Sequence, residues 1–472
     1  MARDKRYTYL AKNTVLFSIS SFGSKILVFL LVPLYTNVLS TSEYGIADII
    51  TTSIMLMGYL FTLNIGDAVL RFAIDNKEPE KLIAYGVRIL LKGTILVGII
   101  LRIIDRVNLI PWPSYCFVYM ALYYFGLQLS SLLSNYLRAI DQIKYVALSG
   151  IITTALTVIS NIVFLLLFKL QLYGYLLSMV IGVLGTSLFQ LVILRIPLSH
   201  YLLAKCDKQM KKEMLLYSVP LIFNGVAWWI NSSLDKYFIT FFIGTAAAGV
   251  YAVAYKIPTM LTMIQTIFNQ AWNLSAIREY EQNGENDFFS KTYSFYNAVL
   301  VLACSILLIF NIPIARILFA KDFFEAWRYA PFLIISTLFS TMSGFVGSVF
   351  SAAKNSKAYA VSTVIAAILN TILNAYLIPA YGITGAALAT ALSFFFIWLI
   401  RLIYSRKYII WKVNLKKDAL AYLFLVVQAG CAIVSERLFT IQCGIFVVLL
   451  AIYYTQIASF ARILFKKVRR KQ

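Results

Sequence analysis

From residue 13 to residue 462 the chain is a succession of apolar runs, each about 20 residues long, the length a helix needs to cross a bilayer. Hydrocarbon offers the backbone no water, so each crossing segment must satisfy its own N–H and C=O groups, which a helix does internally. Spans are expected near 13–37, 46–69, 83–104, 114–137, 145–168, 173–195, 214–243, 249–274, 292–312, 327–351, 358–378, 383–404, 418–435 and 440–462. That is about fourteen crossings, an even number that puts both termini on one side. Composition agrees: 61% of the 472 residues are hydrophobic and 13% are charged, against about 25% charged in a soluble domain. The expected fold class is all-α integral membrane. Arg3, Lys5 and Arg6 precede a run too long for a cleaved signal peptide and lacking an Ala-x-Ala exit, so that run is expected to be the first span.

A net charge of +22 suggests nucleic acid until its placement is read. The basic residues fall in alternate loops: Arg3 to Lys12, Arg71 to Arg88, Arg138 and Lys144, Arg195 to Lys212, Arg278 and Lys291, Lys354 and Lys357, Arg401 to Lys417, and the tail from Arg462. The other loops hold only Arg102, Arg106, Lys169, Arg316, Lys321, Arg328 and Arg437. This is the positive-inside pattern. It places both termini in the cytoplasm and makes the charge a topology signal, with no nucleic-acid partner expected.

The chain also repeats itself. Leu39-Ser-Thr-Ser-Glu-Tyr-Gly-Ile matches Ile243-Gly-Thr-Ala-Ala-Ala-Gly-Val, pairing Gly45 with Gly249. Tyr136-Leu-Arg-Ala-Ile-Asp-Gln-Ile-Lys matches Val349-Phe-Ser-Ala-Ala-Lys-Asn-Ser-Lys, which pairs Asn161 with Asn374, and Tyr173-Gly matches Tyr381-Gly. The order implies two parallel six-helix repeats, 1–200 and 201–405, followed by two extra helices and a basic tail in 406–472.

Polar residues inside the spans fall in stripes. Asn224, Trp228, Asn231 and Asp235 share one helical face, as do Lys256, Thr259, Met263, Thr266, Gln270 and Asn273. Carrying the second stripe back through Gly45/Gly249 lands on Asp48, Thr52, Met55, Tyr59, Thr62 and Gly66, with Asn64 beside the row. Ser18, Ser21 and Lys25 form a further short row in the first span. A polar stripe in an apolar helix faces other helices or a water-filled cavity. Lys25, Lys236 and Lys256 then give the cavity an excess of positive charge suited to a phosphate or pyrophosphate. The alternative is structural: Asp235 and Lys236 pair with each other and Lys25 snorkels. Trp228 offers a ring for a sugar, whereas Trp229 is expected to pack. Asp67 and Arg71 sit one turn apart and either clamp each other or leave Arg71 as a first phosphate contact. Asn161, Asn370 and Asn374 read as glue between helices.

Catalytic readings find nothing to stand on. The sequence has no P-loop, no nucleophile elbow and no metal-ligand spacing; the five cysteines are scattered and the single histidine, His200, lies in a basic loop. No catalytic residue and no metal site is therefore expected.

Ser21-Phe-Gly-Ser-Lys-Ile-Leu, the stretch Pro33 to Ile46, Asp67-Ala-Val-Leu-Arg-Phe and Tyr381-Gly-Ile-Thr-Gly-Ala-Ala-Leu-Ala-Thr resemble the polysaccharide flippases of the multidrug/oligosaccharidyl-lipid/polysaccharide exporter superfamily. The resemblance implies a V-shaped, MATE/MurJ-like transporter with two six-helix lobes and a basic cavity between them, working by alternating access. It further implies a bacterial cytoplasmic-membrane protein that carries an undecaprenyl-pyrophosphate-linked oligosaccharide to the outer leaflet, beside a polysaccharide polymerase and other assembly proteins. Coupling to proton, sodium or the membrane potential stays open, and no cofactor is implied. Two rivals remain: a cation-coupled multidrug exporter of the same superfamily, which wants a buried carboxylate such as Asp48, and a polytopic enzyme of glycan assembly.

Overall fold

The computed structural model describes residues 26–469 except 28, 75, 77, 198, 200, 202–203, 205–206, 283–285, 354 and 435–437. Most of the first expected span, Lys25 included, lies outside the described residues. Every regular element among those described is helical: α1 Val32–Val38, α2 Thr41–Phe61, α3 Ile65–Ala73, α4 Pro79–Arg106, α5 Ser114–Ala139, α6 Ile143–Asn161 with a π-helical end Ile162–Leu167, and α7 Gln171–Leu194. There follow α8 Lys208–Phe242, α9 Thr245–Ala254, α10 Thr259–Gln282, α11 Asn286–Ile309, α12 Asn311–Leu318, a 3-10 segment Lys321–Arg328, α13 Ala330–Ala352, α14 Ser356–Ser405, α15 Leu415–Val434 and α16 Phe439–Arg469. Among the described residues ten helices are long and apolar enough to cross a membrane, and the pair α9/α10, bent by 47°, makes eleven. α4, with 28 residues, is roughly 42 Å long, enough to cross as well.

The chain divides into two compact units, 1–229 and 230–472. The boundary falls inside α8, whereas the repeat pattern places the division at 200, in the loop before it. The repeat itself is visible in the register of the helices: α2 and α9 begin on the paired residues Thr41 and Thr245, and α6 and α14 on Ile143 and Ser356.

Each unit contains a helical hairpin. In the first, Lys169 and Gln171 adopt left-handed backbone between α6 and α7. The arms are joined by Thr153 Oγ1 and Thr186 Oγ1 at 2.6 Å, and Gln190 Nε2 donates to Ser149 Oγ at 3.2 Å and to Ser134 Oγ of α5 at 2.8 Å. In the second, α14 runs through both expected spans 358–378 and 383–404, and the turn is Gly382, at φ 60° and ψ −140°. The chain reverses there: a Cβ on Gly385 would stand 2.0 Å from the carbonyl oxygen of Leu377. Further along, buried Arg401 donates from Nε to Ser362 Oγ at 3.0 Å, from Nη2 to Thr363 Oγ1 at 2.8 Å and from Nη1 to the Ser343 carbonyl at 3.0 Å. Its guanidinium lies 4.2 Å from the centre of the Tyr359 ring. The guanidinium is thus satisfied by neutral oxygens and a π-face.

Three expected spans are broken, one of them 249–274, which bends between α9 and α10. The run 46–69 stops at Phe61 because Leu63 and Asn64 take positive φ, and α3 restarts at Ile65. The run 292–312 divides at Phe310 into α11 and α12. The two C-terminal helices are locked onto α11 by buried polar groups. Tyr453 donates to Asp418 at 2.8 Å, Tyr422 to Asn297 Oδ1 at 2.8 Å, and Ser305 to Gln428 Oε1 at 2.8 Å.

Gly93 of α4 lets that helix close on the end of α2, since an added Cβ would meet the Phe61 carbonyl oxygen at 2.2 Å. Gly93→Ala is expected to destabilise the protein by about 1–3 kcal/mol through overpacking. Gly98→Ala, with nothing within 4 Å of its Cβ, is expected to be neutral or to gain about 0.4–1 kcal/mol. Thermal melting of the two variants in one detergent checks the contrast.

Candidate functional site

The four polar residues expected on one face of α8 separate into two environments. Asn224 is exposed and Trp228 is 42% exposed, whereas Asn231 and Asp235 are buried. The reason is what covers each turn. Over its first half α8 packs on α2: Trp229 Nε1 donates to the Thr52 carbonyl at 2.7 Å, and Gly225 leaves room for the Tyr59 ring, which an added Cβ would meet at 2.6 Å. Asn224 and Trp228 each precede one of these contact residues and stay exposed beside the seam. Trp229 packs, as expected.

Farther along, the same face is enclosed by α9 and α14. Asn231 Nδ2 donates to the Thr363 carbonyl at 3.1 Å. Asp235 Oδ2 accepts from Tyr251 at 2.5 Å, from Thr390 at 3.2 Å and from Tyr255 at 3.3 Å, and Oδ1 accepts from the Lys236 amide at 2.9 Å. The half-buried Lys236 places Nζ 5.9 Å from the centre of the Tyr255 ring. Asp235 and Lys236 are therefore neighbours whose main partners are hydroxyls and an aromatic face. Tyr251 and Tyr255 stand one turn apart on an alanine-rich helix, a spacing that was legible; Thr390 is 155 positions away and was not.

Lys256 lies half-buried in the bend between α9 and α10, where its carbonyl accepts from Thr259 Oγ1 at 2.5 Å. Gln270 and Asn273 belong to α10, and their side chains lie outside the described residues. In the first unit Asp48 is half-buried on α2, its carbonyl accepting from Thr51 and Thr52 at 2.8 and 2.9 Å. Asn64 Nδ2 donates to Asp67 Oδ2 at 2.8 Å, fastening the restart of α3, and Arg71 is exposed at the end of that helix. Asn161 and Asn374, expected to join helices, each donate to the carbonyl one turn back in their own helix, at 2.7 and 2.9 Å. Among the described residues no group of three or more His, Cys, Asp or Glu is placed to hold a metal.

Residues 10–272 match the family model described as polysaccharide biosynthesis protein. The chain belongs to this family. A probable low-salt glycan biosynthesis flippase of Haloferax volcanii is 28% identical over 189 residues, 39% of this chain and 39% of that protein. The match therefore spans about two fifths of this relative's length. Among solved structures, a lipid II flippase MurJ in an inward closed conformation superposes with a TM-score of 0.68 at 17% identity, covering 96% of this chain and all of the other. An inward-facing multidrug resistance MATE transporter of the MOP superfamily gives 0.66 at 12% identity, covering 84% of this chain and 96% of the other. The fold of the family member in hand is thus the all-helical transporter fold of that superfamily.

Tyr251→Phe leaves buried Asp235 short of its shortest hydrogen bond, and a loss of about 1–3 kcal/mol is expected. The measurement is the melting temperature beside Tyr376→Phe, whose side chain is 75% exposed and serves as the control. Equal values would mean that the carboxylate does not depend on the phenol.

Proposed function

We propose that this protein is a flippase that moves a polyprenyl-pyrophosphate-linked oligosaccharide from the cytoplasmic to the outer leaflet by alternating access. The observation that carries the reading is membership of a polysaccharide biosynthesis family by a chain whose membrane helices keep exposed or half-buried polar side chains. Glycan transfer across a membrane needs such a surface, because hydroxyls shed into hydrocarbon lose their hydrogen bonds. Lys25 and Arg71 of the first unit, and Lys236 and Lys256 of the second, are the candidate phosphate contacts; Asn224 and Trp228 of the first unit, and Gln270 and Asn273 of the second, are the candidate sugar contacts, whereas Asn231 is taken up by the Thr363 carbonyl. The protein sits in a bacterial cytoplasmic membrane with both termini inside and hands its cargo to a polymerase and other assembly proteins. The similar proteins, a probable glycan biosynthesis flippase and a lipid II flippase, support this class of cargo.

One observation favours a second reading. Asp235 is a membrane-buried carboxylate, the group a cation-coupled drug exporter would use. In the flippase reading the same carboxylate takes the coupling proton or sodium. Binding of undecaprenyl-pyrophosphate oligosaccharide to purified protein separates the two. Wild type is expected to bind, and Lys256→Ala and Lys25→Ala to weaken binding about fivefold or more, roughly 1 kcal/mol. Normal binding by both variants would remove the lysines from the site. A wild type that ignores the lipid-linked glycan and binds cationic drugs would give the exporter reading.

A further inference from the structure

Helix α4 carries two cations, Arg88, which the charge pattern groups with the cytoplasmic loops, and Lys92, which belongs to no loop and no polar stripe. Its buried face, with Ile83, Val87, Leu90, Val97 and Leu101, packs into the first unit. Arg88 and Lys92 are on the other face, one turn apart. Lys92 is exposed near the midpoint of Pro79–Arg106. Arg88 is half-buried, and its Nη2 is buried without a hydrogen-bond partner. Among the described residues neither side chain makes an ion pair or a hydrogen bond. Arg102, farther along α4, behaves as a surface arginine does, with Nη1 2.9 Å from Asp105 Oδ2.

A cation inside a membrane-crossing helix is costly, and among the described residues no ion pair or hydrogen bond offsets that cost. Both groups are therefore arranged for an anion that arrives from outside the fold. Two cations one turn apart suit two linked phosphates: the guanidinium fork grips one, and the ammonium acts as a point charge on the other. The same face then continues as Ile95, Leu96, Ile99 and Ile103, all exposed. A ligand bound there has a doubly anionic head toward the start of α4 and an apolar tail along the rest of the helix. The start of α4 is the cytoplasmic end by the charge pattern, so head and tail point as they do in a lipid of the cytoplasmic leaflet.

We infer that Arg88, Lys92 and the apolar face beyond them form a docking site for the pyrophosphate and first isoprene units of a polyprenyl-pyrophosphate lipid. The inference rests on the flippase reading and adds to it an entry site on the first unit.

The test uses full-length protein in nanodiscs and three probes: undecaprenyl-pyrophosphate oligosaccharide, farnesyl pyrophosphate and farnesol. Wild type is expected to bind both pyrophosphates and not farnesol. Arg88→Gln and Lys92→Gln are each expected to weaken farnesyl pyrophosphate at least fivefold, and Lys92→Arg to retain it. Lys92→Gln changes an exposed side chain, so it carries the test even if an Arg88 variant fails to fold. If wild type binds the lipid-linked oligosaccharide and Lys92→Gln binds both pyrophosphates as tightly, this site is overturned while the flippase reading stands. If wild type binds neither pyrophosphate, the flippase reading falls and the site with it. Equal competition by phosphatidylglycerol overturns the pyrophosphate assignment in favour of an ordinary phospholipid.

Discussion

Hydrocarbon cannot hydrogen-bond, and this constraint governs the molecule from backbone to site. It selects helices for every crossing segment, and it then decides what each polar side chain does. Many serine and threonine hydroxyls are consumed within their own helix. Thr62, Thr94, Thr154, Ser160 and Thr371 all donate to the carbonyl four residues back. A hydroxyl used this way is compatible with lipid and carries no recognition. The polar residues that matter are those whose demand exceeds what one helix can supply.

Those residues fall into two groups. Asp235, Arg401 and Asp418 are enclosed, and each is met chiefly by neutral groups: tyrosine and threonine hydroxyls, a carbonyl, an aromatic face. Pairing a buried charge with neutral dipoles avoids the desolvation of a second ion. Arg88 and Lys92 form the second group, with one side chain open and the other holding a buried donor unused.

Periodicity located faces but not their covers. The spacing of Asn224, Trp228, Asn231 and Asp235 defines one side of α8 correctly, yet two of the four are exposed and two are buried. The difference comes from Thr363 and Thr390, which lie far away in sequence. Turn chemistry was more legible: Tyr381-Gly382 marks the second hairpin, because only glycine enters φ 60°, ψ −140° without strain. Leu63 and Asn64 broke an expected span because nothing in an apolar run announces left-handed backbone at leucine. Repeat matching survived best, since a register shared by two helix starts needs no knowledge of what packs on them.

The two repeats share a register but not an electrostatic character. Gly45/Gly249 pairing sets Ala47 and Thr51 against Tyr251 and Tyr255, so α2 carries no phenol at the two positions that hold the buried carboxylate in the second unit. Conversely α11, the helix of the second repeat that corresponds to α4, carries Lys291 as its one basic residue, within its first two turns. Among the described residues the first unit therefore presents two cations without an ion-pair partner on α4, and the second a carboxylate caged by hydroxyls. One duplicated scaffold has kept its turns, which folding requires, and lost equivalence at the membrane-embedded charges, which folding alone does not. On the docking site proposed above, the cations of α4 answer to the anion they bind, and the second copy, without that site, has no need of them.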